Sequence, residues 1–262
     1  MSGRAAALRS EDSGARLRAI AEIADTDAAT VVDDELRALV ECLGFGGKAV
    51  QRRAAEACAA LAAGGAPVRP LLLEALASEL PALRWGAAYA LGRTDLAPRA
   101  ALPAVLEALG SDDGDVRWAA AEIVQRLARH DATIGVELVR AVGGEAPERR
   151  KMALYCLRDL GVGEPMIRAA TVRAMSDADE GVVLAALSAA AKLATADGDA
   201  IGAGLRLLNS PNPRLQRAAA SAMATLGQHN AEVDEALRRA AASSDESLRR
   251  AAERAIAQRG RA

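Results

Sequence analysis

The chain has almost no aromatic side chains: two Trp, two Tyr and one Phe, 2% of its 262 residues. Its core must therefore be built without rings, although 51% of the residues are hydrophobic. Alanine fills the gap. It is the best helix former, and a face of methyl groups lets helix backbones approach closely, so the composition points to an all-α protein. Cysteine is also sparse. Cys42, Cys58 and Cys156 are odd in number and form no Cys-x-x-Cys pair, which argues against a disulfide framework or a zinc site and for free buried thiols in a reducing compartment. Neither sign of charge dominates. The net charge of −2 lacks the basic surplus typical of nucleic-acid binders, although a local basic face stays open. No stretch approaches the roughly 18 uncharged apolar residues of a membrane span, and the opening MSGRAAALRSEDSG has no apolar signal-peptide segment. The expectation is a cytoplasmic protein with no membrane association.

What is present is a repeat. Segments similar to Leu83-Arg84-Trp85-Gly86-Ala87-Ala88-Tyr89-Ala90-Leu91 start at Ala15, Val50, Leu83, Val116, Arg149, Val182, Leu215 and Leu248, spaced by 35 residues once and by 33 thereafter. With each start numbered zero, position +4 is Ala19, Ala54, Ala87, Ala120, Ala153, Ala186, Ala219 and Ala252. Position +8 is always apolar. Positions 0, +4 and +8 share one helical face, so each segment is a helix, here termed B. A second helix, A, precedes it, marked by sets such as Leu72/Leu73/Leu76 and Val105/Leu106/Leu109. Asp12, Asp113, Asp179, Asn212 and Asp245 sit three before zero, where a side-chain oxygen caps helix B. Gly161, Gly227 and Gly260 at +12 suit helix C-termini, and Pro67, Pro98 and Pro165 suit the start of helix A. Arg149 at an apolar position, after the turn Gly143-Gly144-Glu145-Ala146-Pro147, predicts local irregularity over 143–151.

The pattern of Leu109-Gly110-Ser111-Asp112-Asp113 followed by Val116-Arg117-Trp118-Ala119-Ala120-Ala121-Glu122-Ile123-Val124 resembles the HEAT repeat, in the short form of phycobilin lyase subunits. The Thr-Pro-Leu-His start of ankyrin units and the Trp-Leu-Gly-Tyr pattern of TPR units are missing. The resemblance covers nearly the whole chain and implies a right-handed α-α superhelix, a single armadillo-like solenoid over 1–262. Its eight two-helix repeats fall at approximately 1–27, 28–64, 65–95, 96–130, 131–162, 163–195, 196–228 and 229–262, with helices B lining the inner side. The polar last helix reads as a C-terminal cap closing a complete solenoid. The alanine-rich N-terminal end is less well capped and open to self-association.

Both Trp and both Tyr fall on helices B of repeats 3 to 5: Trp85 and Trp118 at +2, Tyr89 and Tyr155 at +6. These positions lie off the core stripe. With Arg93, Glu122, Arg126, Lys151 and Arg158 nearby they form a candidate partner-binding set, rich in the residue types that dominate binding hot spots. The competing reading is packing between neighbouring helices B. Position +1 carries Arg16, Arg84, Arg117, Arg150 and Arg249. The HEAT resemblance implies that these pair with turn carboxylates in a ladder between repeats, while cations at +2 and +3 remain available to an acidic partner.

No catalytic residues, metal ligands or cofactor are indicated. His130 and His229 stand three repeats apart, the His-Glu pair of the HEAT-repeat di-iron hydroxylases is absent, and Gly44-Phe45-Gly46-Gly47-Lys48 lacks the spacing and preceding strand of a phosphate loop. The expected function is a protein-interaction scaffold or adaptor, not an enzyme, binding another protein in its groove, with an acidic segment or helix as one candidate. Two alternatives remain. One is an enzyme accessory or lyase-like subunit holding a small molecule. The other, less favoured on charge, is nucleic-acid binding of the HEAT-like DNA glycosylase type, in which Trp85, Tyr89, Trp118, Glu122 and Arg126 would form the cleft.

Overall fold

The computed structural model describes residues 2–94, 98–161, 163–193 and 196–261. Repeat boundaries drawn at 95/96, at 162 and at 195 fall on residues outside that set. The described residues form sixteen α-helices in eight consecutive pairs, two short 3-10 turns and no strand. The helices divide into two compact units. The first comprises Met1–Ala108 and Gly114–His130. Its pairs are α1 (Gly3–Leu8) with α2 (Ser13–Ala24), α3 (Asp33–Glu41) with α4 (Gly47–Ala63), α5 (Val68–Ala75) with α6 (Pro81–Gly92), and α7 (Leu102–Ala108) with α8 (Gly114–Ala128). The second comprises Leu109–Asp113 and Asp131–Ala262. It pairs α9 (Ile134–Val142) with α10 (Pro147–Leu160), α11 (Pro165–Ala174) with α12 (Glu180–Leu193), α13 (Gly198–Leu208) with α14 (Pro213–Ala222), and α15 (Ala231–Ala241) with α16 (Glu246–Arg259).

Within each unit, helices B stack on helices B: α2, α4, α6 and α8 in order, and α10, α12, α14 and α16 in order. Helices A form a second layer, with α3 against α1 and α5, and α11 against α9 and α13. The eight +4 alanines are all buried, none more than 2% exposed. They lie on the buried stripe of each helix B. Position +8 is buried in seven repeats, and only Ile256 of α16, which no further described helix covers, is partly exposed.

The turns are closed by side chains. Asp12, Asp179, Asn212 and Asp245 each accept hydrogen bonds from backbone N–H groups at the start of the following helix B, satisfying donors that a helix terminus leaves unpaired. The +1 arginines clamp the same turns. Arg16, Arg84, Arg150 and Arg249 each donate to the carbonyl six residues earlier, of Ser10, Ser78, Gly144 and Ser243. Arg84 then reaches Glu107 and Arg150 reaches Asp177, both in the following repeat, with paired N–H donors. Arg84 and Arg150 are thus rungs of a structural ladder, whose acids come from helix A as well as from the turn.

Residues 143–151 are regular, contrary to the expectation from sequence. Pro147 begins α10 as Pro213 begins α14, and the Arg150 clamp holds the turn although Arg149 replaces an apolar residue. Among the +12 glycines, Gly161 and Gly227 adopt the left-handed conformation, whereas Gly260 has φ −72° and ends α16 in ordinary helical geometry. Pro165 occupies the first turn of α11, while Pro67 and Pro98 stand one residue before their helical segments. All three cysteines are free and buried. Burial pushes the Cys42 thiol up to about 11 and Cys156 to about 12, leaving both protonated and unreactive at neutral pH.

Candidate functional site

At 3.6 residues per turn, positions +2 and +6 lie about 200° and 240° round the helix from position zero. They face away from the buried alanine stripe. In the first unit these positions are Leu17, Arg52, Trp85 and Trp118 at +2, and Ala21, Glu56, Tyr89 and Glu122 at +6. On α6, Trp85 and Tyr89 lie one turn apart with ring centroids 5.6 Å from each other and a 36° tilt. Both are half-buried. Arg93 extends the column: its guanidinium stands 5.8 Å from the Tyr89 ring centroid and donates to the phenol oxygen at 3.3 Å. Tyr89 also packs against the buried core of this unit.

Trp118, on the adjacent α8, is 56% exposed. One turn on, the exposed Glu122 is 3.7 Å from Arg126, so these two charges offset each other at the edge of the aromatic set. Structure thus brings together Trp85, Tyr89 and Arg93 on one helix and Trp118, Glu122 and Arg126 on its neighbour, within one unit.

Lys151, Tyr155 and Arg158 belong to the second unit, on α10. Lys151 pairs with Glu148 at 2.7 Å. Arg158 stands 5.0 Å from the Tyr155 ring centroid, pairs with Asp159 at 2.8 Å and donates to Ser188 of α12 at 3.1 Å. Tyr155 is half-buried beneath this guanidinium.

Sequence reasoning passed over Leu80 and Phe45. Leu80 precedes α6 and is 56% exposed. Phe45 lies in the turn before α4, stacked under the Arg16 guanidinium at 5.2 Å. Leu80 stands one residue before Pro81, the first residue of α6, and that position was the available signal. No cluster of His, Cys, Asp and Glu able to hold a metal occurs among the described residues, and no helix among them is long and apolar enough to cross a membrane.

Stacked helix pairs, capped turns and an arginine ladder define a class of α-repeat protein. Residues 69–134, from α5 to the first residue of α9, match the family model for HEAT repeats. An engineered protein of known crystal structure is similar over 98% of this chain and 77% of its own, at 24% identity and TM-score 0.51. A homology model of the full-length AP-3 complex in an intermediate open conformation is similar over 97% of this chain and 50% of its own, at 16% identity and TM-score 0.59. These likenesses concern the fold. No curated protein matches the sequence.

Proposed function

We propose that the chain is a non-catalytic protein-interaction scaffold whose partner docks on the B-helix face of the first unit, around Trp118. HEAT repeats in general serve protein interaction, and stacked repeats present extended binding surfaces. The observation that carries the reading is the 56% exposure of Trp118 beside the half-buried Trp85–Tyr89 pair. Large amphipathic rings dominate interface energetics, and an open one next to a rigid aromatic pair gives a partner an anchor point. The Glu122–Arg126 pair supplies a polar rim.

The test is affinity capture from native lysate followed by mass spectrometry, comparing wild type with Trp118→Ala. Because the ring is exposed, the variant is expected to keep its melting temperature and to lose the partner. Equal capture by both would remove the face. Salt-sensitive binding of DNA that depends on Trp118 would favour the glycosylase-type alternative, and a visible absorbance after bilin addition would favour the lyase-like one.

A further inference from the structure

The same +2 and +6 positions carry a different chemistry in the second unit. At +2 they are Lys151, Leu184, Arg217 and Arg250, and at +6 Tyr155, Ser188, Ser221 and Arg254. Four cations and no carboxylate occupy this double column, against one cation and two carboxylates in the first unit. Helices α10, α12, α14 and α16 are neighbours in that order, so the column runs across adjacent helices. Its centre is uncharged: Leu184 and Ser188 are half-buried, and Ser221 is small and exposed. Arg250 and Arg254 stand open on α16.

Carboxylates do approach from the N-terminal edge. Glu148 pairs with Lys151, Asp245 lies 3.9 Å from Arg217, and Glu246 pairs with Arg250. Glu253 is exposed on α16, and Asp159 pairs with Arg158 beyond +6. These tethers aim three of the cations without placing a negative charge in the column itself.

We propose that this face of the second unit binds an extended acidic peptide segment, with carboxylates spaced to meet the cations of α10, α14 and α16. Neighbouring helices pack about 8–10 Å apart, and an extended chain rises about 3.3 Å per residue. One carboxylate about every three residues therefore keeps step with the helices, so that those over α10, α14 and α16 each stand beside a cation. Between the flanking cations Leu184, Ser188 and Ser221 carry no charge, and Arg158 donates to Ser188 there. A nucleic-acid strand fits less well. Aromatic residues for base stacking are missing from +2 and +6 of α12, α14 and α16, and tethering carboxylates moderate the positive charge. This extends the scaffold reading to a second surface, and each surface can fail alone.

The experiment uses the full chain and a fluorescein-labelled peptide with glutamate at every third position between Gly and Ser, read by fluorescence anisotropy at low salt. Its control has Gln in place of Glu. Wild type is expected to bind the Glu peptide and not the Gln peptide, with affinity falling as salt is raised. The triple variant Arg217→Gln/Arg250→Gln/Arg254→Gln keeps the side-chain stems and is expected to bind at least about tenfold more weakly, with an unchanged helical circular dichroism spectrum. Trp118→Ala should bind the peptide as wild type does, which separates this face from the one on the first unit. Equal binding of the Glu and Gln peptides by wild type, or full affinity in the folded triple variant, would overturn the proposal. Tighter binding of a single-stranded oligonucleotide than of the Glu peptide would overturn it in favour of nucleic acid.

Discussion

At Gly86 the close stacking of repeats becomes a matter of single atoms. A Cβ there would lie 2.6 Å from the Leu43 Cβ and 2.8 Å from the Leu43 carbonyl oxygen, and a backbone atom cannot rotate away. Gly86→Ala gains about 1 kcal/mol in helix propensity but must push two repeats apart, and it is expected to destabilise the fold by about 1–3 kcal/mol. A raised melting temperature would contradict that contact. Arg150 and Asp177 form a second critical point, their side chains only 15% and 14% exposed. The paired guanidinium holds the Asp177 carboxyl below the usual aspartate range. With the folded value below an unfolded value of about 3.9, the stabilisation is complete above that pH and is lost as pH falls through the folded value. Asp177→Asn should therefore cost roughly 1–3 kcal/mol at neutral pH, with the deficit shrinking below about pH 4. A deficit constant from neutral to acid pH, followed by chemical denaturation, would show that the pair is not the source. Burial raises the Glu35 carboxyl, but hydrogen bonds from Ser2, Arg4 and the Val32 N–H outweigh it and leave it below the glutamate range, so part of the acid sensitivity will survive in Asp177→Asn.

Helices show which residue patterns translate directly into structure. The +4 alanines were legible because helical periodicity and burial coincide there, and all eight are buried. Ala120 is fully buried on α8, so Ala120→Leu should overpack the seam and cost about 1–3 kcal/mol; a thermal melt identical to wild type would refute that placement. Caps at Asp12, Asp179, Asn212 and Asp245 were legible for the same reason, because short oxygen-bearing side chains at fixed offsets have one obvious use. The turn at 143–151 was not. Its regularity depends on Arg150 reaching back six residues to Gly144 and forward 27 residues to Asp177, and a local reading of Arg149 does not contain the second contact. The ladder's acids were only partly foreseen, since Glu107 lies on helix A and reaches Arg84 through stacking rather than sequence proximity.

For the molecule as a whole, repetition made the architecture readable: eight copies of one pattern gave eight helix pairs. The candidate site was readable only as a list of positions. Sequence put the aromatic residues on +2 and +6, but exposure depends on what the neighbouring repeat places beside each ring. Trp85 is half-buried, while Trp118 is 56% exposed. The nine candidate residues divide between the two units, six on α6 and α8 or just beyond and three on α10, a division that the uninterrupted 33-residue period does not announce. The alanine-rich first pair also differs from its appearance in sequence. Leu8, Ile20 and Ile23 are buried in that pair.

The most direct test of the scaffold reading is the affinity of the captured partner for wild type, Trp118→Phe and Trp118→Ala, measured beside their melting temperatures. The expected result is a loss of at least about tenfold, roughly 1.4 kcal/mol or more, for Trp118→Ala, a smaller loss for Trp118→Phe, and three indistinguishable melts. Unchanged affinity in a folded Trp118→Ala protein would contradict the account and move the binding surface elsewhere on the molecule.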